Sequence, residues 1–248
     1  GSRGVRLLDG DSDRENAYEY ALKFSRGGEI VVEEYMEGPE VSVETLAIDG
    51  DVHVIQITDK ITTGAPYFVE MGHTQPSRLD EDVKARIAEI TIAANKAIGI
   101  KDGPSHTEII VTKGGPKIVE LGARMGGDCI ATHLVPLSTG VDMVECCIRI
   151  ALGEKPDIVS RFKKGSAIRY LDVSQGEIER ISRLDEAEAV EGIRQVSIVH
   201  KVGETINEIR NSGDRVGFVI AQGKDADEAA SIAEKARDLI KVEIKHDL

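Results

Sequence analysis

The sequence predicts an α+β chain, on two turn signals that each join alternating runs of residues and on one long amphipathic repeat between them. Glu40 to Ile48 and Val52 to Thr58 alternate well around Asp49-Gly50, a dipeptide that tolerates the positive φ angles of a tight hairpin. Asp80 to Ala97 carry Val83, Ile87, Ile90 and Ala94 on one helical face and stop at Gly99. Thr107 to Thr112 and Lys117 to Leu121 then flank Lys113-Gly114-Gly115-Pro116 and predict a second hairpin.

The remaining elements rest on local signals. Ser12-Asp13-Arg14-Glu15 is a capping box that opens a helix, with Ala17, Ala21 and Phe24 at helical spacing up to Gly27-Gly28. Glu29 to Glu34 is expected as a strand running into Tyr35-Met36-Glu37-Gly38-Pro39, and Asp59-Lys60 close the first hairpin. Cys129 to Leu137 and a helix from Val141 to Leu152, ended by Gly153, read as structural, with Ser138 to Asp142 as the loop and N-cap before that helix. Lys155-Pro156 suggests a boundary. Beyond it Ser166 to Val173, Ile193 to Val202 and Arg215 to Ala221 are expected extended, and Ala226 to Lys241 helical.

The chemistry concentrates in the second hairpin and in the segment from Gly122 to Asp128. A two-residue Gly114-Gly115 turn would pair Glu108 with Leu121 and send Glu108 and Glu120 to opposite faces. A three-residue loop, Lys113 to Gly115 with Gly115 left-handed, pairs Glu108 with Glu120 and is the expectation here. Two carboxylates side by side repel unless a cation sits between them, and Mg²⁺ is the natural filler, because it takes one or two carboxylates plus water and phosphate oxygens. Arg124 stands four residues after Glu120, just before Gly126-Gly127-Asp128, whose small residues expose backbone N–H groups to an anion. Together these groups suit a phosphoryl group.

Composition removes other classes. With 31 basic against 44 acidic residues the net charge is −13, so a nucleic-acid partner is not expected. No apolar stretch approaches the ~20 residues that span a bilayer, and no signal-peptide pattern opens the chain. Cys129, Cys146 and Cys147 have no metal-ligand spacing and read as buried thiols of a reduced, cytoplasmic protein.

The run ELGARMGGD, Glu120 to Asp128, preceded by TEI from Thr107, resembles the metal-binding end of the ATP-grasp superfamily. VVEEYMEGPEVSVE, Val31 to Glu44, resembles its nucleotide-binding hinge, and Gly1-Ser2-Arg3-Gly4-Val5 the Gly-rich loop of its small lid subdomain. Within the superfamily the chain resembles above all the L-amino acid ligases, over roughly Gly1 to Gly153. The resemblance implies an ATP-grasp fold: a partial lid subdomain (residues 1–65), an antiparallel-sheet core with the metal site (66–153) and a C-terminal α+β subdomain (154–248). A strand bearing a phosphate-binding lysine and an N-terminal subdomain, which precede the lid loop in the family, are expected to be missing from this chain.

The resemblance also assigns residues. It implies that Gly1, Ser2, Arg3 and Gly4 cradle the ATP phosphates, that Glu33, Glu34, Tyr35 and Met36 receive the adenine, and that Glu40 contacts the ribose. Lys60 is expected near the phosphates or the substrate. Phe68 to Ser77 matches the amino acid ligases in its spacing, which implies that Glu70 receives a substrate ammonium and that His73 lies beside the reacting carboxylate. An acid suits an ammonium, and a histidine can either donate to a developing charge or accept a proton. Glu108 and Glu120 would hold Mg²⁺, with Mn²⁺ as an alternative. Arg124 would bind the transferred phosphate or the substrate carboxylate, and the Gly126 and Gly127 amides the acyl-phosphate oxygens. Gly122 stands where many superfamily members carry a metal-binding Asn, which amino acid ligases can also lack, and it leaves the implied metal one protein ligand fewer. Gly213 to Gly217 resembles segments that pack beside the core in carboxylate-amine ligases, while nothing after Gly153 reads as catalytic.

The implied activity is ATP-dependent ligation of a carboxylate to an amine, joining amino acids through an acyl phosphate with release of ADP and phosphate. The alternatives are another ATP-grasp ligase, of the glycinamide-ribotide or carbamoyl-phosphate type, and a nucleotide-binding fragment without activity of its own. The expected partners are small-molecule carboxylates and amines, with a homodimer left open.

Overall fold

The computed structural model describes residues 1–245. Helix α1 (Arg14–Leu22) comes first, then the strands β1 (Glu40–Ile48), β2 (Asp51–Thr62) and β3 (Glu70–Gln75). Helix α2 (Glu81–Ala97) leads to β4 (Gly103–Thr112) and β5 (Gly115–Gly122), and a π-helical turn (Ile130–Leu134) to α3 (Val135–Thr139) and α4 (Met143–Ala151). The rest of the chain forms β6 (Gly165–Tyr170), β7 (Gly176–Ser182), α5 (Leu184–Glu188), β8 (Ile193–Ile198), β9 (Thr205–Ile206), β10 (Gly217–Gly223), α6 (Ala226–Leu239) and β11 (Lys241–Ile244).

Eight strands form one antiparallel sheet in the order β5-β4-β1-β2-β3-β6-β10-β8, and β11-β7-β9 form a second, small one. The large sheet crosses both boundaries expected from the sequence: β2 pairs with β3 across residues 65 and 66, and β3 with β6 across residues 153 and 154. Its two faces differ because side chains alternate along each strand. On one face Val41, Val43, Ile57 and Ile109 pack on Ile87 of α2, and Ala167, Val219 and Ala221 pack on the alanine stripe Ala229, Ala233, Ala236 of α6. On the other, Leu46 packs under Ala131, Val135 and Met143, and Ile168, Tyr170 and Ile220 under Ile130 and Leu134. Between these apolar zones the second face carries a band of polar and charged residues.

Local signals set the ends of these elements. Asp49 and Gly50, at φ 53° and 86°, make the predicted tight turn between β1 and β2. Asp142 accepts a hydrogen bond from the Glu145 N–H at 2.9 Å, which caps α4, and Gly153 at φ 76° ends it. The first helix is capped one residue later than expected: Asp13 accepts from the Asn16 N–H at 3.0 Å. The expected strand at Glu29 to Glu34 is not one. It pairs with no strand among the described residues, and Val31 and Val32 are 79% and 81% exposed, so no ladder or core fixes it.

The β4–β5 hairpin reaches the expected pairing by another route. Thr112 pairs with Gly115, so the turn is Lys113-Gly114 alone, and the register shifts between Glu108 and Ile109. Val119 is the extra residue, and beyond this bulge Glu108 faces Glu120. Gly115, at φ 108°, opens β5 instead of closing a three-residue loop. Of the three thiols Cys146 is buried, while Cys129 and Cys147 are half-buried. Among the described residues no helix is long and apolar enough to cross a membrane.

Candidate active site

The polar face of the sheet gathers its charges because register puts them there. Ser42 pairs with both Thr58 and Glu108, Glu44 with His106, and Lys60 with His73, so these side chains share one face of β1 to β4. Lys60 is the hub of the first cluster. Its side chain is 3% exposed, and its Nζ donates to Glu40, lies 3.0 Å from Glu108 Oε2 and 3.7 Å from Glu70 Oε1. Burial disfavours the ammonium, but the Glu108 and Glu40 charges outweigh it and hold the lysine above its ordinary range.

The same cluster continues inward. His106 Nε2 lies 3.4 Å from Glu108 Oε1, and its Nδ1 is hydrogen-bonded to the fully buried Glu44. Burial alone would lower the His106 pKa; hydrogen bonds to Glu108 and Glu44 raise it to about 9. Glu108 is the counterpart: burial would raise it, whereas the bonds from His106 and Lys60 bring it down to about 2. Glu44 Oε2 accepts the Gly126 N–H at 3.0 Å, which ties the loop after β5 to the sheet. A Cβ at Gly126 would sit 2.5 Å from Glu44 Oε1, so the glycine is needed for this approach. The Gly126 amide is therefore committed to Glu44 and is not bare to an anion, as the sequence had implied. Gly127 faces open space.

The second cluster surrounds Glu70. Its Oε2 accepts the hydroxyls of Ser2 at 3.3 Å and Ser212 at 3.1 Å, which come from opposite ends of the chain. Arg215 lies beside it. This guanidinium holds Asp128 by two 2.8 Å bonds, donates to the Glu70 carbonyl at 3.0 Å and the Ser212 carbonyl at 2.8 Å, and stacks 3.7 Å from the Tyr170 ring centroid. Asp128 Oδ2 also meets His73 Nε2 at 3.1 Å. Burial would raise the Asp128 pKa, but the bonds from Arg215 and His73 drive it well below the usual carboxylate range. Asp128 and Cys129 have φ of 51° and 61°, a left-handed pair of non-glycine residues that turns the chain back into the π-helical turn.

The other candidates lie around the rim. Glu120 and Arg124 are both more than half exposed and approach each other to 3.5 Å. Ser2 also donates to the Phe68 carbonyl at 3.0 Å, and the Gly1 carbonyl accepts from the Ser212 N–H at 3.4 Å. Gly4, at φ 75°, packs on Ala21 and Phe24, whereas Arg3 is exposed. Glu33, Glu34 and Tyr35 are exposed and Met36 half-buried, with the Tyr35 ring 6.1 Å from that of Phe68. This segment is fixed at one point: a Cβ on Gly38 would collide with the Val111 carbonyl, and Val111 N–H donates to the Pro39 carbonyl at 2.9 Å.

Sequence reasoning missed Glu44, His106, Asp128, Ser212 and Arg215 as members of these clusters. Glu44 and His106 were signalled by charge at inward positions of alternating strands. Arg215 was signalled only by the Gly213 to Gly217 run and Asp128 only by its place after Gly126-Gly127, while Ser212 carried no signal of its own.

Known protein families match both parts of the chain. An ATP-grasp domain matches residues 8–132, and an L-amino acid ligase C-terminal domain 2 matches residues 169–245. The chain is 27% identical over 188 residues to an L-arginine-specific L-amino acid ligase of Bacillus subtilis, covering 74% of this chain and 45% of that one. It is 28% identical over 271 residues to a phosphoribosylamine–glycine ligase of Methanocaldococcus jannaschii, covering 99% of this chain and 60% of the relative. The crystal structure of the L-amino acid ligase from Bacillus licheniformis superposes with a TM-score of 0.84 at 27% identity, over 98% of this chain and 61% of that one. The chain thus spans between about half and six-tenths of the length of these relatives. The match over residues 8–132, the sheet that gathers Lys60, Glu70 and Glu108, and the second match over residues 169–245 together make this chain a member of the ATP-grasp superfamily with the C-terminal domain of the L-amino acid ligases.

Proposed function

We propose that the protein is an ATP-dependent carboxylate-amine ligase that joins amino acids through an acyl phosphate. One observation carries the reading: the Lys60 ammonium lies 3.0 Å from Glu108, which would serve the phosphate side, and 3.7 Å from Glu70, which would serve the ammonium side. A carboxylate that is first phosphorylated and then attacked by an amine must reach both sides without leaving the site.

The residues fit a magnesium ion. Glu108 and Glu120 offer hard oxygen donors from paired strand positions, and Glu108 stays ionised down to about pH 2, so no proton competes. Bound there, Mg²⁺ would supply charge neutralisation on the phosphate oxygens. The chain's own residues do the rest. Glu70, its carboxylate oriented by Ser2 and Ser212, would receive the ammonium of the first amino acid, and Arg124 would bind the transferred phosphoryl group or a substrate carboxylate bidentately. The Gly-rich start of the chain and the Glu33 to Met36 segment would line the nucleotide, with Glu40 at the ribose. A substrate carboxylate oxygen attacks the γ-phosphorus and ADP leaves. The second amine then attacks the carbonyl carbon, inorganic phosphate leaves with the bridging oxygen, and the amine gives up a proton.

Phosphorus NMR of the protein with Mg-ATP and pooled amino acids tests the reading. Amino-acid-dependent formation of ADP and phosphate is the expected result. ATP that persists with every amino acid pool sinks the proposal.

A further inference from the structure

The polar face also holds a pair that no step of the proposed reaction employs: Glu44 on β1 and His106 on β4, 0% and 5% exposed and directly opposite each other in the strand register. The His106 ring is engaged at both nitrogens. Its Nδ1 is bonded to Glu44 Oε1, and its Nε2 lies 3.4 Å from Glu108 Oε1. The other oxygen of Glu44 accepts the Gly126 N–H at 3.0 Å, so a chain of contacts runs from the loop after β5 through Glu44 and His106 to Glu108. Stability alone is weak grounds for such a pair, because well-packed apolar side chains of similar volume often serve as well.

Glu108 is held at each oxygen, by Lys60 at Oε2 and by His106 at Oε1. The two holds differ in stiffness. Lys60 reaches Glu108 on a flexible four-carbon stem and shares its ammonium with Glu40 and Glu70. The His106 ring is wedged between Glu44 and the loop backbone, where a Cβ on Gly126 would come within 2.7 Å of Nδ1. Ser42 stands opposite Glu108 on β1, but its buried hydroxyl has no hydrogen-bond partner among the described residues and gives Glu108 no hold. An ionised carboxylate offers about four lone-pair sites, so these two contacts leave room for a cation.

We propose that His106, braced by the buried Glu44, is a positioning residue that fixes the Glu108 carboxylate for the divalent cation, and that the same Glu44 ties the loop carrying Arg124 to that frame. The inference rests on the reading of Glu108 as a metal ligand and deepens it. The contact needs a hydrogen on Nε2, because the ionised Glu108 can only accept, and it makes no further demand on the protonation of the ring. Groups that hydrogen-bond a metal ligand from behind set its orientation, and losing one typically costs 10–100-fold in metal affinity.

Two amide substitutions separate the contacts of the ring, because the amide nitrogen of Asn falls near the place of Nδ1 and that of Gln near the place of Nε2. His106→Asn keeps the bond to Glu44 and gives up Glu108, and His106→Gln does the reverse. Mn²⁺, a hard cation that suits the same oxygen donors as Mg²⁺, is titrated into each protein with one equivalent of ADP, and the free ion is read from its EPR signal against ADP alone. The expected result is that His106→Asn binds Mn²⁺ about 10-fold more weakly than wild type at a similar Tm. His106→Gln should bind within about threefold of wild type yet unfold at a lower temperature, because Glu44 loses its ring partner.

A role in packing alone would make affinity follow stability, with His106→Gln the weaker in both. That order overturns the inference, as does a His106→Asn protein that binds Mn²⁺ as tightly as wild type or more tightly. The titration needs neither amino acid nor turnover. Wild-type protein that takes up Mn²⁺ with ADP but ligates nothing counts against the ligase reading alone, whereas wild type that takes up no Mn²⁺ overturns the inference.

Discussion

The ammonium of Lys60 and the carboxylate of Glu108 form a 3.0 Å ion pair in which the lysine side chain is 3% exposed and the glutamate 20%. Glu40 shares the same ammonium, so Lys60 bridges two partly buried carboxylates, of which Glu108 has His106 as a second partner. Taking Lys60 away leaves them facing each other where water is largely excluded, and there an uncompensated charge is costly. Lys60→Met should therefore destabilise the fold by about 3 kcal/mol, the lower end for breaking a buried pair, because Glu108 and Glu40 retain some water. Urea unfolding measures it. A loss below about 1 kcal/mol, the ceiling for an exposed pair, would contradict the buried-hub description.

Asp128 makes stability depend on pH on the acid side. Its pKa is depressed below the ordinary 3.8, so the folded state binds its proton less readily than the unfolded state does. The stability it contributes is fully present above pH 3.8 and is lost as pH falls toward the depressed value. Asn cannot titrate. The stability gap between wild type and Asp128→Asn should be largest above that pH and shrink by about 1.4 kcal/mol per pH unit below it. A gap that stays constant down to about pH 2.5 would show that Asp128 is not held by Arg215 in the folded state.

Two adjacent glycines should respond oppositely to the same substitution. A Cβ on Gly126 would meet Glu44 Oε1 at 2.5 Å and His106 Nδ1 at 2.7 Å, both buried, whereas one on Gly127 meets nothing within 4 Å. Gly126→Ala should cost about 1–3 kcal/mol by overpacking. Gly127→Ala should stay within about 0.5 kcal/mol. Thermal unfolding of the two variants decides, and equal shifts would mean that the loop does not close on Glu44.

How far the sequence could be read depended on whether a signal was local. Asp49-Gly50 and the Ile87 stripe each act through neighbouring residues, and both elements stand where alternation and helical spacing put them. The pairing of Glu108 with Glu120 was also legible, but its cause was not: a turn shorter by one residue is offset by a bulge at Val119, and either route gives one register. The failure at Glu29 to Glu34 is instructive because β-branched residues there satisfy propensity, yet a strand exists only with a partner. Arg215 lies 87 residues from Asp128 along the chain, and nothing in the local pattern of either announces the other. The second half of the site could be seen only after β6 and β10 had joined the sheet beside β3.

Glu120 offers the clearest separation of function from folding. It is 57% exposed, and its cationic contact is Arg124 at 3.5 Å, itself 56% exposed, so the pair is weakly coupled and screened by water. Removing the carboxylate as Glu120→Gln should change stability by less than about 0.5 kcal/mol. Its proposed work lies elsewhere, in holding a divalent cation against phosphate oxygens together with Glu108, and that work needs the charge. Turnover of amino-acid-dependent ATP cleavage should fall by about two orders of magnitude or more, with a higher Mg²⁺ requirement. Arg124→Ala should leave stability equally untouched and lower turnover without moving the Mg²⁺ requirement, because it would bind the anion and not the cation. Wild-type turnover in Glu120→Gln would remove Glu120 from the metal site. A matching loss of stability in that variant would mean that the exposed pair holds the hairpin together, and the catalytic assignment would then have to rest on Glu108 alone.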